Sequence, residues 1–460
     1  MTLPNGPALS ALQRRIRTWK FIFRPLSTIE ERYSQYGDIF RTNTNSKIPF
    51  IYFCNPQAIQ EIFSADPDTF ISGQSNDILQ YLVGKHSLLL QDGDRHQRQR
   101  KLLMPPFHGD RMRTYGNLIY EITSDVIARW QIDKPFPIRS STQEISLKVI
   151  LGAVFGLDRG ERYEQLRILL SDMLDSISSP VSSTLLFFRF LQKDLGPWSP
   201  WGRFLRKKQQ VDKLILAEIQ TAKKEASHRD DILSLLLEAT DEAGHPMSDE
   251  EIKDELLTLL FAGHETTASA LAWALYWIDK IPSVREKLLT ELETLPTNPD
   301  KVAITKLPYL SAVCQETLRI YPIGMNTFVR FVKKPIEIMG YQLEPGMVAI
   351  ISIYLTHQRE DIYPQPKQFK PERFLERQFS PYEYLPFGGG SRRCIGSAFA
   401  LFEMKLVLAT ILSQCELKLV PHQRIQPVRR GLTIAPPANM RMVVKQNSLS
   451  DRLGNSAIGA

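Results

Sequence analysis

The sequence predicts a mainly α-helical fold with small β-sheets. Three observations carry that reading. Apolar residues recur at helical spacing over 118–130, 142–155, 207–224, 309–321 and 399–412. One further helical pattern opens with a capping box, Ser248-Asp249-Glu250-Glu251, and runs to Lys280, where Ile281-Pro282 stops it. Strand signals are few and short: Phe50–Phe53, 327–332, Ile336–Ile338 and 348–354.

In chain order, 56–63 reads as a short helix and 77–90 as an irregular apolar loop able to cover a pocket. In the run from Asp92 to Lys101, His96 and Arg100 share a helix face. On spacing alone that run is a solvated basic face. The segment 170–204 is rich in Phe, Leu and Trp yet broken by Pro180, Pro197 and Pro200. A pocket lid, a membrane-dipping surface and a plain buried helix pair all fit it. Polar 225–229 reads as a loop, Glu344-Pro345-Gly346 as a turn, and 431–434 as a hairpin tip. The last dozen residues, polar or small, are expected to be disordered.

Hydrophobic residues make up 43% of the 460 positions and charged residues 23%, which suits a globular chain with a large core. Length alone points to about three domains, but there is no linker to cut at, so a single domain over 1–460 is expected. No flavin or nicotinamide domain is visible. The 57 Lys and Arg against 50 Asp and Glu leave a net charge of +7. Nucleic acid, a membrane surface or an acidic protein would answer it. Without a nucleic-acid motif or a dense basic tract, an acidic protein partner is preferred. The four cysteines are scattered with no C-x-x-C pair, which argues against a disulfide framework or a zinc site. Residues 1–23 lack a clean apolar run, so a cytoplasmic monomer without an N-terminal anchor is expected. Peripheral membrane contact is left open.

The most specific stretch is Phe387-Gly388-Gly389-Gly390-Ser391-Arg392-Arg393-Cys394-Ile395-Gly396. Three consecutive glycines are costly in a strand or helix and suit backbone passing close to something flat and bulky. Cys394 falls at a helix N-terminus, where N–H groups and the helix dipole favour a thiolate able to ligate a metal.

The long helix is roughly 45 Å and apolar almost all round after Leu256. It is long enough to cross a bilayer. A carboxylate at mid-bilayer costs about 2.5 kcal/mol or more, so Glu265 favours a buried helix through a large domain. Its centre reads Ala262-Gly263-His264-Glu265-Thr266-Thr267. Thr266 can return its hydroxyl to the Ala262 carbonyl and bend the helix. Gly263 removes a side chain one turn before Thr267. A groove holding a hydroxyl and a carboxylate suits oxygen and water.

Phe387, Gly390, Arg392, Cys394 and Gly396 resemble the haem-binding loop of the cytochrome P450 family. Ala262–Thr267 is similar to that family's oxygen-activating helix motif, and the motifs fall in family order across nearly the whole chain. Many soluble bacterial members carry Asp where this chain has Glu265. The resemblance is nearest the bacterial fatty-acid and alkane hydroxylases, including a cyanobacterial group. It implies a mostly helical triangular fold with small sheets, and haem b between the long helix and the cysteine loop. Cys394 would be the axial iron ligand, with Phe387, Gly388, Gly396 and Ala262 against the haem. His96, Arg100, Arg330 and Arg392 would bind its propionates. Thr266 would hydrogen-bond iron-bound oxygen and Glu265 would feed it protons. Glu316 and Arg319, by default a surface ion pair, would instead form a buried clamp with Arg373. His357 is a more modest match.

Leu79, Leu82, Ala262, Ile323, Met325 and Leu432, with Thr327, are expected to line an apolar pocket. The implied activity is hydroxylation of a fatty acid, alkane or terpene, with electrons from a ferredoxin or flavodoxin and its reductase. Arg98, Lys101 and Arg393 would dock that acidic donor. A haem-thiolate isomerase or dehydratase acting on a peroxide, a non-enzymatic haem sensor and a cysteine hydrolase are the alternatives.

Overall fold

The computed structural model describes residues 3–7, 11–42, 48–107, 111–157, 160–178, 192–225, 231–297 and 299–445. Helices α1 (Ala11–Phe23) and α2 (Pro25–Tyr36) lead into strands β1 (Ile39–Thr42) and β2 (Phe50–Phe53). Asn55 caps α3 (Pro56–Ser64) by accepting from the Gln57 N–H at 2.9 Å. After β3 (Phe70–Ile71) come α4 (Gln80–Val83), α5 (Gly93–Leu103) and α6 (Arg111–Ile127). Strand β4 (Phe136–Pro137) precedes α7 (Ile138–Phe155), α8 (Glu161–Ser178), α9 (Pro200–Glu225), α10 (Ile232–Glu238) and α11 (Asp249–Lys280).

Next are α12 (Pro282–Glu293), α13 (Lys301–Ile304) and α14 (Pro308–Ile320), then β5 (Arg330–Val332), β6 (Ile336–Ile338), β7 (Tyr341–Leu343) and β8 (Val348–Ile351). The chain continues through α15 (Ile353–His357), α16 (Arg373–Glu376) and α17 (Ser397–Gln414). It finishes with β9 (Glu416–Leu419), β10 (Val428–Arg430), β11 (Thr433–Ala435) and β12 (Arg441–Lys445).

Helix α11 is the axis, and its ends follow the sequence. The Ser248 hydroxyl accepts from the Glu251 N–H, and the Glu251 carboxylate accepts from the Ser248 N–H. Gly263 lets α7 approach closely: a Cβ there would lie 3.1 Å from the Ile150 side chain. α7 and α17 are both buried through their middles and both pack along α11. α17 alone among the described helices is long and apolar enough to span a membrane, and its apolar residues sit in the core instead.

The largest sheet runs β1-β2-β8-β5-β3, antiparallel except for the β2–β8 pair. Alternation along β2 feeds two small cores. Ile51 and Phe53 join Ile59 and Ile62 of α3, while Tyr52 joins Ile29 of α2 and Ile350. A second sheet, β4-β12-β9, and the pairs β6-β7 and β10-β11 complete the strands.

Several boundaries differ from the sequence reading. The strand expected over 348–354 stops at Ile351, because Ser352 caps α15 through the Leu355 N–H. The strand over 327–332 begins only at Arg330. The segment 77–90 holds a 3₁₀ turn, Gln74–Leu79, and α4 rather than a plain loop. The turn at 344–346 forms, with Gly346 at φ 89°, as does the β10–β11 hairpin. Most of the apolar part of 170–204, the loop expected over 225–229 apart from Glu225, which ends α9, and the C-terminal dozen lie outside the described residues.

Candidate active site

The cysteine loop is built by its glycines. Gly388 and Gly390 take φ of 68° and 63°, left-handed values that favour glycine. Gly389 lies flat against the Phe63 ring of α3, where a Cβ would come within 2.2 Å. The bulky flat neighbour of this backbone is therefore, in part, a phenylalanine. The loop closes with the Cys394 N–H donating to the Phe387 carbonyl at 3.0 Å and the Gly388 N–H to Leu385 at 3.0 Å.

Cys394 then precedes α17 and is the exposed one of the four cysteines. Burial pushes its thiol up, against the Gly396 N–H and the charges of Arg100 and Arg393, which pull it down. The helix terminus alone therefore does not give a thiolate here, contrary to the sequence argument. A sulfur both exposed and penalised by surrounding protein fits a wall of an internal space, and only a bound metal would strip its proton outright. A Cβ at Gly396 would also meet nothing within 4 Å.

Around that space stands a cluster of basic side chains. His96 is buried on α5, and its pKa falls to about 4 through burial and then the charges of Arg392 and Arg100. Arg330, buried at the start of β5, is lowered to about 10 by burial and by Arg392. The Arg330 guanidinium donates to Thr327 Oγ1 at 3.1 Å and to the Phe328 carbonyl, and it sits over the Phe63 ring. No carboxylate among the described residues pairs with it. Arg392 donates to Asp92 and to the Leu88 and Gln91 carbonyls, so it is only partly available. Arg100 donates to the Arg393 carbonyl at 2.7 Å. Three mutually repelling arginines and a neutral histidine beside a sulfur ligand suit a group with an iron centre and two carboxylates, and so fit haem b.

The centre of α11 has an open face of its own. Ala262 is exposed although the helix around it is buried. Thr266, one turn on, donates its hydroxyl to the Ala262 carbonyl at 2.6 Å, as its spacing requires. The other half of the sequence reading is corrected. The space beside Gly263 is filled by Ile150, so the opening lies on the Ala262–Thr266 face. Glu265 does not point freely into a groove. It pairs with Arg139 of α7, accepts from Gln143 at 3.1 Å, and lies 3.3 Å from Arg430 at the end of β10.

Beneath the cysteine loop, Arg319 donates to both Glu316 oxygens at 2.6 and 2.9 Å, and Arg373 donates to Glu316 at 3.2 Å. All three side chains are buried, so the expected clamp forms. Removing one member strands a charge at about 3–5 kcal/mol. Arg319 also donates to the His357 carbonyl, and His357 Nε2 accepts from the Leu385 N–H at 3.0 Å. His357 thus links the clamp to the cysteine loop. Burial and Arg319 lower its pKa to about 3, so it stays neutral.

Other candidates land elsewhere. Leu79 and Leu82 are each 1% exposed inside the main core and present no open face. Met325 packs in the sheet-side core with Ile29 and Tyr354. Ile323 is buried, and its carbonyl accepts from Ile434 of the hairpin at 2.8 Å. Leu432 and Phe328 are exposed near this junction. Arg98 does not point outward: it pairs with Asp241 and Glu251, while Lys101 pairs with Glu242.

Sequence reasoning missed Phe63, Arg139, Gln143 and Arg430, whose roles arise across distant segments. Glu403, a carboxylate inside the apolar 399–412 run, carried a legible signal. It is buried, and burial pushes its carboxyl up against a smaller downward pull from Ser146, whose hydroxyl donates to the Gly263 carbonyl.

The comparisons agree with this geometry. The family model for Cytochrome P450 matches residues 10–442. Putative cytochrome P450 135B1 of Mycobacterium tuberculosis is 33% identical, covering 97% of this chain and 92% of the relative. Putative cytochrome P450 138 of the same species is also 33% identical, over 90% of each. The structure of retinoic acid-bound cyanobacterial CYP120A1 superposes with a TM-score of 0.82 at 25% identity, over 96% of this chain and 99% of that one. The haem domain of cytochrome P450DA, 20% identical, has the same fold at a TM-score of 0.82 over 98% of each chain. With an exposed cysteine in its glycine loop, an anion-binding cluster and an open-faced central helix in place, the chain belongs to the cytochrome P450 family, oxidoreductases that bind haem b.

Proposed function

We propose that this protein hydroxylates a lipophilic molecule, using dioxygen and electrons from a separate ferredoxin or flavodoxin with its reductase. The carrying observation is the open face of α11, where Ala262 is exposed and hydroxyl-bearing Thr266 half-buried at the middle of a mostly buried helix. Haem, when bound, supplies dioxygen activation and insertion of one oxygen atom into a C–H bond.

Cys394 would hold the iron through Sγ, and the Gly396 N–H would steady the sulfur. His96, Arg100, Arg330 and Arg392 would hold the propionates. Phe387, Gly388 and Ala262 would flank the ring. Thr266 Oγ1 keeps a proton on the Ala262 carbonyl, from which a side-chain rotation turns it toward the open side. Glu265 would relay protons after its carboxylate leaves Arg139, since Arg139 and Gln143 hold it in this conformation. Ala262, Ile323, Thr327 and Leu432 would line the substrate space, with Phe328 at its edge. Leu79 and Leu82 would back that lining, while Met325 leaves it. A retinoid is one candidate, by likeness to the cyanobacterial relative; fatty acids, alkanes and terpenes are the others. Arg393, exposed next to Cys394, and Lys101, exposed on α5, are left as the donor-docking bases.

A carbon monoxide difference spectrum of the reduced holoprotein tests the ligand. A thiolate-shifted Soret band, lost in Cys394→Ser, is expected; a wild-type band without that shift overturns the reading. Spectral titration with a fatty acid, an alkane and a retinoid then sorts the substrates. Turnover of a lipid hydroperoxide without reductant, and no ferredoxin-supported product, would favour the isomerase alternative.

A further inference from the structure

Helix α1 turns its apolar side the wrong way for a packed helix. Leu12, Ile16, Trp19 and Phe23 are 68%, 50%, 61% and 54% exposed. Their spacing of four, three and four residues puts them within about a 60° arc at 100° per residue. The Trp19 and Phe23 rings stack on one another at 5.7 Å rather than on the body of the protein. The helix is nonetheless docked. Phe21, on the opposite side, packs against the sheet-side core and lies 5.3 Å from the Arg429 guanidinium. The outward stripe is therefore a fixed surface.

Its charge identifies the occupant. Residues 1–29 contain Arg14, Arg15, Arg17, Lys20 and Arg24 and no acid; the first is Glu30. An apolar stripe with an interfacial tryptophan, on a segment that carries bases and no acid, is the pattern of a helix lying in the plane of an anionic bilayer surface. A second copy is the poorer occupant. Across a two-fold axis the identical basic segments would meet with no acid on the helix to answer them.

We propose that α1 is a membrane-surface contact that seats this enzyme on anionic lipid, its apolar stripe in the headgroup boundary and its bases on the phosphates. The proposal is independent of the substrate reading and draws on no haem-site residue.

Holoprotein is mixed with extruded vesicles of phosphatidylcholine alone, or of phosphatidylcholine with phosphatidylglycerol, and the bound fraction is read by flotation. Wild type is expected to float with the phosphatidylglycerol vesicles at low salt, at least tenfold less with phosphatidylcholine alone, and less as salt rises. The Ile16→Asp, Phe23→Asp double variant should lose at least tenfold in partitioning while keeping its carbon monoxide spectrum. Lys20→Glu with Arg24→Glu should lose the lipid preference. Should the double variant lose haem, Trp19→Ser repeats the measurement with at least a threefold loss expected. Wild type remaining unbound with both vesicle types overturns the proposal, as does a double variant that floats as well as wild type. A lipid-free dimer that the double variant converts to monomer, with no vesicle binding, overturns it in favour of a second copy.

Discussion

Thr266 has one hydroxyl proton and, in this conformation, spends it on the Ala262 carbonyl at 2.6 Å. That bond is local and weak, worth about 1 kcal/mol net, so it can be exchanged for one to a ligand on the open side. Thr266→Ala is expected to leave the reduced carbon monoxide band in place, because no haem contact is removed. It should lower product formed per electron consumed severalfold. Coupling measured as product against NAD(P)H oxidised checks this; unchanged coupling would remove Thr266 from the proton path. Glu265 differs in kind. Held by Arg139, Gln143 and Arg430, it is both a relay candidate and a tie between α7, α11 and the β10–β11 hairpin.

At the scale of elements, the cysteine loop is shaped from outside itself. Phe63 of α3 presses on Gly389 and lies beneath Arg330, and His357 passes the clamp's hold on to Leu385. Gly389→Ala is therefore expected to weaken haem retention, since the new methyl meets a stiff ring 2.2–2.8 Å away. Adding Phe63→Ala should recover part of the loss by opening the space. Haem release to apomyoglobin, timed for both variants, reads this directly. No recovery would mean the ring is not what the glycine avoids. The motif glycines were legible in the sequence, but Phe63 lies more than 300 positions away and nothing local marks it.

For the whole molecule, buried titratable groups set the pH range. His264 and His357 are each lowered to about 3, both chiefly by burial. The unfolded chain binds protons there first, so stability falls as pH drops below the ordinary value of 6.5. Glu403, raised to about 8 by burial, acts oppositely. The folded state holds its proton more tightly, and stability falls as pH rises from the ordinary 4.5 through about 8. His96, lowered to about 4, acts with these two histidines, and buried Glu255, raised well above the ordinary value, acts with Glu403, so below 6.5 three bases outweigh two acids and place a stability maximum between about pH 6 and 6.5. Urea unfolding at pH 5, 6.5 and 8.5 is expected to show it, and Glu403→Gln should flatten the alkaline side. An unchanged alkaline slope in that variant would remove Glu403 as the cause.

Some of this protein was settled by sequence alone, because its causes are local. The capped ends of α11, the Thr266 back-bond, the glycine run that lets backbone pass close to a flat neighbour and the Cys394 position each depend on residues a turn or less apart. The mainly helical class follows from apolar spacing of the same short range. Tertiary structure decided what needs distant partners. It closed the space beside Gly263 with Ile150, turned Glu265 onto Arg139, and drew Arg98 to Asp241 and Glu251 instead of outward, while Lys101 stays exposed beside Glu242. Charge and apolarity at a position can be read from a chain, but the direction a side chain faces is fixed by what packs against it.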